Sequence, residues 1–455
     1  MAHWRNEKTS TGRIDPRLTF VCQLLPLSVL FFARSYTNYF VSDDYEFLGR
    51  ISLGTAGHYF TRSWGYGNEY RPLLAYSYAL NAAVSGLSPI GYHVTNTILH
   101  TLTSLLIAAT AVECGLPFPF AALASVLFLL NPVSHESFLW IAGRPVVLST
   151  FFVGVALWAF VKAANALSRS AHLWVISHFA FVAALLTYEG SIVFPLLAFL
   201  LWTSFVRTRS RLVLQNLTAY FITLLAYVAA WNVFFHFTIT RFPVESSVIS
   251  AGRTLAVAIL HAFHGASRIP IAILYLGLLI VLCLRAPGRK IAMFCAAWFG
   301  LAYLPFFIVH GFAGRFAYVS SVSVAVVLSG AVWAIYQRSR EIGMVVLFGL
   351  VCFYAIGMQN RITIWEQAGI LAHRIVDDIK AAEPELPHGT TLVLLDVPDM
   401  YKHALLFMTG LERAVRLQYP GNAIFGVRRA IPSSCREHVI VFRYVGGGMA
   451  EVRKD

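Results

Sequence analysis

Long apolar stretches separated by short polar connections dominate the sequence. A helix needs about 20 apolar residues to cross roughly 30 Å of hydrocarbon. Eleven stretches approach that length: 18–40, 93–113, 117–132, 145–163, 172–187, 190–206, 212–236, 268–284, 291–310, 316–336 and 342–359. A weaker stretch at 254–264 is typical of a further span or of a helix lying in the membrane interface. The pattern predicts an α-helical polytopic membrane protein with about eleven transmembrane helices.

The two longest polar segments predict the remaining architecture. The connection 41–92 contains helical apolar spacing at 45–53 and 72–84, which is typical of interfacial helices. The tail 361–455 predicts a small α/β domain, with an amphipathic helix at 362–382, a strand at Thr391–Leu395, a helix at about 402–417 and a strand near His438–Tyr444. We therefore divide the chain into a cytoplasmic N-terminus (1–17), a transmembrane domain (18–360) and this tail domain.

Composition and charge agree with the membrane class. The 455 residues are 58% hydrophobic and 13% charged, whereas soluble domains carry about 25% charged residues. The net charge of +13 comes from basic residues in short connections, which indicates membrane topology and argues against a nucleic-acid partner. The six cysteines show neither metal-ligand spacing nor a disulfide framework. The first apolar stretch is too long for a cleavable signal peptide, and we expect an uncleaved signal-anchor.

Basic connections also predict the orientation. With eleven spans, every strongly basic connection falls on the same side as the N-terminus, which the positive-inside rule assigns to the cytoplasm. The connections 41–92, 131–144 and 237–267 and the C-terminal domain would then be non-cytoplasmic. The short loops favour a bacterial inner membrane over the endoplasmic reticulum.

An acidic pair, Asp43 and Asp44, follows the first apolar stretch directly. Charge at a bilayer edge is costly unless it has a function. On the non-cytoplasmic side, this pair could act as a base on a substrate carried by a lipid. The alternative is that the pair caps a short helix beginning near Tyr45.

Several short motifs resemble a known family when they are taken in order. They are Ser42-Asp43-Asp44-Tyr45, Tyr70-Arg71-Pro72-Leu73, Gly91-Tyr92-His93-Val94-Thr95-Asn96 with Leu99-His100, Asn131-Pro132-Val133-Ser134-His135-Glu136, Gly143-Arg144, Tyr188-Glu189-Gly190, Gly314-Arg315-Phe316-Ala317-Tyr318-Val319-Ser320, and Arg361 with Trp365. Over residues 18–365 the chain resembles the GT-C superfamily of polyprenyl-phosphate-sugar-dependent glycosyltransferases. It is similar to the protein O-mannosyltransferase-like branch, which includes transmembrane and tetratricopeptide-repeat proteins, although it has no such repeats.

The resemblance implies a membrane glycosyltransferase that moves a mannose-like hexose from a polyprenyl-phosphate carrier to a hydroxyl acceptor, with inversion. It assigns Asp43 as the base and Asp44 as a positioning group or weak metal ligand. Repulsion between two adjacent carboxylates can raise one pKa into a range useful for a base. The acceptor is left open among protein, glycan and lipid, and a divalent metal is possible because only some branches use one.

The donor phosphate needs cations near the outer membrane face, and arginine binds phosphate through paired hydrogen bonds. Arg315 is our first candidate, followed by Arg71 and Arg144. The alternative is that these arginines extend towards lipid headgroups, as juxtamembrane arginines often do.

Further candidates lie at the predicted outer edges. His135, Glu136 and Glu189 are expected substrate contacts, and Glu136 could bind a sugar hydroxyl or hydrogen-bond to Arg144. Four aromatic residues could stack on sugar rings or anchor the protein at the interface: Trp64, Tyr66, Tyr70 and Trp140.

The histidines do not predict a metal site. His93 and His100 lie two turns apart on one predicted span, too far for one ion, and packing histidines are the expected interpretation. His261 and His264 have chelating spacing without an evident third ligand, so we commit to no metal. The C-terminal domain shows no catalytic set, and a packing or acceptor-selecting role is expected.

Two other classes of protein stay open. A lipid-linked sugar flippase or secondary transporter would also be polytopic, but repeated halves with broken midplane helices would be expected. A non-catalytic membrane scaffold leaves the polar residues at the outer edges without a common purpose.

Overall fold

The computed structural model describes residues 15–64, 69–166, 170–206, 208, 210–235, 273, 275–281, 286–308, 313–419, 426–430 and 438–454. Helices dominate it, as the hydropathy pattern predicts. The α-helices are α1 (Pro16–Phe31), α2 (Asp44–Phe47), α3 (Leu53–Ala56), α4 (Pro72–Ser85), α5 (Pro89–Glu113), α6 (Phe118–Leu129), α7 (His135–Phe138), α8 (Arg144–Asn165), α9 (Ala171–Leu185), α10 (Phe194–Phe205), α11 (Arg211–Phe235), α12 (Ala286–Ile308), α13 (Ser321–Arg338), α14 (Arg340–Ala382) and α15 (Leu411–Leu417). Short 3-10 turns lie at Ala33–Thr37, Gly57–Phe60, Pro132–Ser134, Ile141–Gly143, Glu189–Val193 and Gly314–Ala317.

The membrane class predicted from hydropathy is confirmed. Among the described residues, five helices are long and apolar enough to cross a membrane: Pro89–Glu113, Ile141–Asn165, Arg211–Val233, Ser321–Arg338 and Arg340–Ala382. A sixth crossing arises if Phe118–Leu129 and Pro132–Phe138, which meet at 44°, are one broken span. The predicted count of eleven stays a prediction, and the expected span 268–284 lies mostly outside the described residues.

Helix α8 lies at the centre of the bundle, packed against α5, α9 and α10. Gly154 allows α5 to approach closely, since a Cβ atom there would lie 3.2 Å from Leu106. On the α9 side, the Ser177 hydroxyl donates to the Ala156 carbonyl over 2.8 Å. Small residues and buried hydroxyls are the usual means of holding helices together where water does not drive association.

The outer connection folds around its aromatic residues. Two one-turn helices, α2 and α3, stand where the helix at 45–53 is predicted, and the predicted helix at 72–84 is confirmed as α4. The Phe47 ring stacks on Tyr78 at 3.9 Å, and the Trp64 ring stacks on the same tyrosine at 5.8 Å. Aromatic side chains in this connection therefore pack against one another as a small core.

Helix α14 is one continuous helix of 43 residues, about 65 Å long. It crosses position 361, where the sequence analysis separated the membrane domain from the tail. Polar residues begin there, but the 358–366 stretch contains neither glycine nor proline, so no residue breaks the helix.

The C-terminal domain contains a four-stranded sheet of order β4-β1-β5-β6. Strand β1 (Thr391–Leu395) is parallel to β4 (Gly426–Arg428) and β5 (Val439–Val445), and β6 (Gly448–Lys454) returns antiparallel to β5. Both predicted strands are confirmed. The predicted helix at 402–417 is wrong over its first half, where a two-stranded hairpin of β2 (Met400–Tyr401) and β3 (Ala404–Leu405) precedes the short α15.

Candidate active site

The two aspartates have different surroundings. Asp44 is buried, and its carboxylate accepts hydrogen bonds from the backbone N–H groups of Val41 (3.0 Å) and Ala142 (2.8 Å). Asp43 is half-buried, and its Oδ1 accepts a hydrogen bond from the Thr409 hydroxyl. Neither carboxylate caps α2, because Asp43 stands at the N-cap without a side-chain cap bond. The capping alternative is therefore wrong.

Burial raises the pKa of Asp44 to about 8, against an ordinary value of 3.8. The two backbone N–H groups oppose this rise, and repulsion by Asp43 adds to it only as a minor cause. The expected rise is thus found on Asp44, and desolvation dominates over repulsion between the carboxylates.

Arg144 is fully buried near Asp44. Its guanidinium donates to Asn96 Oδ1 (2.7 Å), the Ser77 carbonyl and hydroxyl (3.2 and 3.1 Å) and the Tyr92 carbonyl (3.0 Å). It also lies 4.6 Å from the centre of the Tyr78 ring. With no exposed face and with each of its three nitrogens donating, Arg144 does not meet the geometric requirement of the predicted phosphate contact.

Glu136 and Arg315 form an ion pair. The backbone N–H of Arg315 also donates to Glu136 Oε2 over 3.3 Å. Of the two alternatives for Glu136, the hydrogen bond with Arg144 is wrong, because the Glu136 carboxylate accepts from Arg315 in the turn Gly314–Ala317 instead. The Arg315 guanidinium stays partly exposed, at 29%, and lies over the Trp140 and Phe316 rings at 5.3 and 4.9 Å.

A second ion pair joins Arg71 to Glu189. Arg71 Nε donates to Glu189 Oε2 over 2.9 Å, and the guanidinium lies 5.0 Å from the centre of the Tyr188 ring. Burial lowers the pKa of Arg71, but the Glu189 carboxylate raises it above its ordinary value, so the arginine stays charged. Tyr70, the preceding residue, lies 6.4 Å from the Tyr227 ring.

A cluster that joins named sequence candidates to the unpredicted His403 lies between the loop 131–144 and the C-terminal domain. Trp365 Nε1 donates to His135 Nδ1 over 2.9 Å, and the His135 ring meets the His403 ring at 5.2 Å. Arg361 hydrogen-bonds to His403, and Trp365 stacks on Trp140 at 6.4 Å. Neither His403 nor Thr409 carried a signal in the sequence, because both lie in a segment predicted to be an ordinary helix.

Two neighbouring cavities lie in the bundle, and Arg315 lines the first of them. This cavity has about 380 Å³ of empty space, part of it open to solvent, and a mostly apolar lining that includes Tyr188, Ser191, Arg315 and Phe316. The second, which we call the apolar groove, has about 770 Å³ of empty space, part of it open to solvent, and lies between α5, α8 and α12 with an almost entirely apolar lining. Thr150, Val153 and Val319 line both, so the cavity beside Arg315 adjoins the apolar groove.

The packing interpretation of two histidines is confirmed. His93 Nε2 lies 3.0 Å from the Asn38 carbonyl, and His100 contacts the Tyr318 hydroxyl (2.7 Å) and the Leu129 carbonyl (3.0 Å). His261, His264 and Tyr66 lie outside the described residues. Within the described ranges no group of three or more metal-ligating side chains is found.

These features define a class: a multi-pass helical bundle whose acidic pair and ion-paired arginines lie under a small α/β domain. The same fold is found in crystal structures of ArnT from Cupriavidus metallidurans. The structure bound to undecaprenyl phosphate aligns over 93% of each chain with a TM-score of 0.55 at 14% identity, and the apo structure has a TM-score of 0.53. The predicted GT-C-like fold is therefore confirmed.

Segments of the sequence are similar to curated protein O-mannosyl-transferases. Human TMTC2 is 31% identical over 107 residues, which is 23% of this chain and 13% of the relative. Human TMTC4 is 29% identical over 199 residues (36% and 27%), and Caenorhabditis elegans F38B6.6 is 36% identical over 97 residues (21% and 14%). No family model matches. The predicted resemblance is confirmed. The matches span about a quarter or less of each relative, so the activity of this protein is proposed below.

Proposed function

We propose that the protein is a membrane glycosyltransferase that moves a mannose-like hexose from a polyprenyl-phosphate carrier to a hydroxyl acceptor. Asp43 is the base, and the configuration at the anomeric carbon is inverted. One observation carries the proposal: the Asp43 carboxylate already accepts a hydrogen bond from an aliphatic hydroxyl, which is the contact that a base makes with an acceptor before transfer.

The reaction requires one proton acceptor and one site for an anionic leaving group. The acceptor oxygen attacks the anomeric carbon, its proton passes to the Asp43 carboxylate, and the bond from that carbon to the phosphate oxygen breaks. Polyprenyl phosphate leaves with one more negative charge than the phosphodiester carried. Asp44 positions the base from beneath, through its hydrogen bonds to the Val41 and Ala142 backbone.

Arg315 is the proposed phosphate contact. Its partly exposed side chain brings a positive charge to the first cavity, and arginine keeps its charge at any physiological pH. Two buried polar atoms near it, Trp140 Nε1 and Ser191 Oγ, lack a hydrogen-bond partner in the described part of the chain. Since buried donors are normally paired, these atoms support a bound ligand with oxygen acceptors.

The apolar groove suits the carrier lipid. It adjoins the cavity that Arg315 lines and offers an almost wholly apolar surface to an isoprenoid tail. The crystal structure of ArnT bound to undecaprenyl phosphate supports a lipid of this chemistry for the fold.

Arg71, Glu189 and Tyr70 are proposed to form the far wall of the substrate site, His135 to position Trp365, and Glu136 to pair with Arg315 until the donor phosphate binds. The proposed orientation puts this site and the C-terminal domain on the non-cytoplasmic side of a bacterial inner membrane. The names of the sequence relatives support a protein acceptor. A divalent metal is not required by this arrangement of proton acceptor and cation.

The test is product analysis with labelled polyprenyl-phosphate-mannose and methanol in detergent. A methyl mannoside with the configuration opposite to that of the donor is expected, and a retained configuration would contradict inversion. Movement of the intact donor across vesicles without any mannoside would favour the flippase alternative and overturn the proposal.

A further inference from the structure

The base proposed above is held by a segment of the C-terminal domain, Leu406–Gly410. The Ser42 N–H donates to the Leu406 carbonyl over 2.7 Å, and the Ser42 hydroxyl lies 3.0 Å from the Thr409 hydroxyl. Thr409 itself donates to Asp43. Three contacts therefore join this segment to the two residues that begin the acidic motif.

The backbone on both sides is adapted to this close approach. Ser42 has φ +48°, a left-handed conformation that is uncommon for a residue other than glycine. Gly410 has φ +76°, and a Cβ atom there would lie 2.1 Å from the Ser42 carbonyl oxygen. Strained backbone of this kind persists only where the surroundings enforce it, and it concentrates at active sites and switches.

The segment is anchored by Leu406 and Phe407, which are buried and whose backbone N–H groups donate to the Asp399 carbonyl over 2.9 and 3.3 Å. Phe407 stacks on Tyr45 at 6.0 Å, and Arg413 lies 4.0 Å from Glu46 at its edge. Thr409 is half-buried, so its side chain is within reach of solvent. Rotation of the Thr409 side chain about its Cα–Cβ bond would free the Asp43 carboxylate while the segment itself stays in place.

The contact between Thr409 and Asp43 is the one that an acceptor alcohol would make with the base. Thr409 offers an aliphatic hydroxyl to the oxygen of a carboxylate, and an acceptor alcohol must make the same contact in order to lose its proton. We propose that Thr409 is an internal pseudo-acceptor: its hydroxyl occupies the acceptor position on Asp43 and shields this base from water until an acceptor hydroxyl displaces it. This inference rests on the proposed role of Asp43 as the base.

The proposal predicts that one substitution at the site raises the rate of donor hydrolysis. Most substitutions at an active site reduce turnover, but Thr409→Val removes the internal competitor while keeping the side-chain shape. Hydrolysis of the donor by water should rise about tenfold, because a hydrogen bond to a charged group is worth about that factor or more. The KM for methanol should fall by a similar factor.

The experiment measures mannose release from labelled polyprenyl-phosphate-mannose by the full chain in detergent, with and without methanol. Wild type is compared with Thr409→Val, Asp43→Asn and the double variant. Thr409→Ser, which keeps the hydroxyl, should restore low hydrolysis and so exclude a loss of packing as the cause. The double variant should release no mannose, since the exposed base is missing.

The outcomes separate the two proposals. If hydrolysis rises in Thr409→Val and vanishes in the double variant, the pseudo-acceptor is supported. If wild-type turnover depends on Asp43 but Thr409→Val hydrolyses no faster, the pseudo-acceptor is wrong and the base assignment stands. Turnover that persists in Asp43→Asn, or a wild type without any turnover, overturns both.

Discussion

Glu136 and Arg315 allow the donor site to be tested by opposite changes in affinity. If Arg315 binds the donor phosphate, its ion pair with Glu136 competes with that phosphate for the same guanidinium. Glu136→Gln should therefore strengthen donor binding, whereas Arg315→Ala should weaken it. A purely structural ion pair predicts losses for both variants.

The sizes of the expected changes in donor affinity follow from the solvent exposure of Glu136 and Arg315. Both side chains are partly accessible, at 29% for Arg315 and 14% for Glu136, so an intermediate effective dielectric applies. Removing a negative charge roughly 6 Å from the phosphate is then worth about 1–3 kcal/mol, which strengthens binding by about five- to a hundredfold in Kd. Losing the charged hydrogen bonds of Arg315 is worth about 1.5–3 kcal/mol, which weakens binding ten- to a hundredfold.

The assay is equilibrium binding of labelled polyprenyl phosphate to protein in lipid nanodiscs. Arg34→Ala is the matched control, because Arg34 also pairs with a glutamate, Glu366, but at an exposed position outside the two cavities. Its affinity should equal that of wild type. Weaker binding by Glu136→Gln would refute the competition and indicate a direct contact of Glu136 with the ligand.

Four further changes test other parts of the account. Burial raises the pKa of Asp44 to about 8, so the protonated side chain contributes fully to stability below about pH 4, and this contribution is lost as the pH rises through 8. Asp44→Asn should flatten the resulting fall of melting temperature with pH, and an unchanged pH dependence would contradict this prediction. Leu106→Trp should reduce turnover of a long-chain donor about tenfold by filling the groove, but not that of a two-isoprene donor. Gly410→Ala should lower the melting temperature and raise donor hydrolysis, because its Cβ meets the Ser42 carbonyl. Arg144→Met should destabilise the fold by about 3–5 kcal/mol, seen as a lower melting temperature, since it leaves the buried partners of the guanidinium unpaired.

Much of the helical fold was predictable because the membrane permits few alternatives. Backbone polar groups must be satisfied within each span, so long apolar stretches form helices whatever their neighbours are. Strand Thr391–Leu395 was predictable for a related reason: five apolar or β-branched residues lie between turn-forming segments. The continuity of α14 was also readable, since no helix-breaking residue lies near Arg361.

The pairing of the site residues was not predictable. Glu136 meets Arg315 across 179 residues, and nothing local distinguishes that partner from Arg144, which lies much nearer in sequence. Arg144 and Arg315 look alike in the sequence, but one is fully buried and the other is open to a cavity. Thr409 was missed because its role depends on the approach of Gly410 to Ser42, which is a tertiary contact.

The central claim, that Asp43 takes the acceptor proton, is tested most directly by single-turnover transfer from labelled polyprenyl-phosphate-mannose to methanol. Wild type, Asp43→Asn and the control Asp377→Asn, which changes an exposed carboxylate on α14, are compared at saturating donor. We expect transfer by wild type and Asp377→Asn, and a loss of at least about a hundredfold for Asp43→Asn with donor binding intact. Transfer by Asp43→Asn at the wild-type rate would contradict the account.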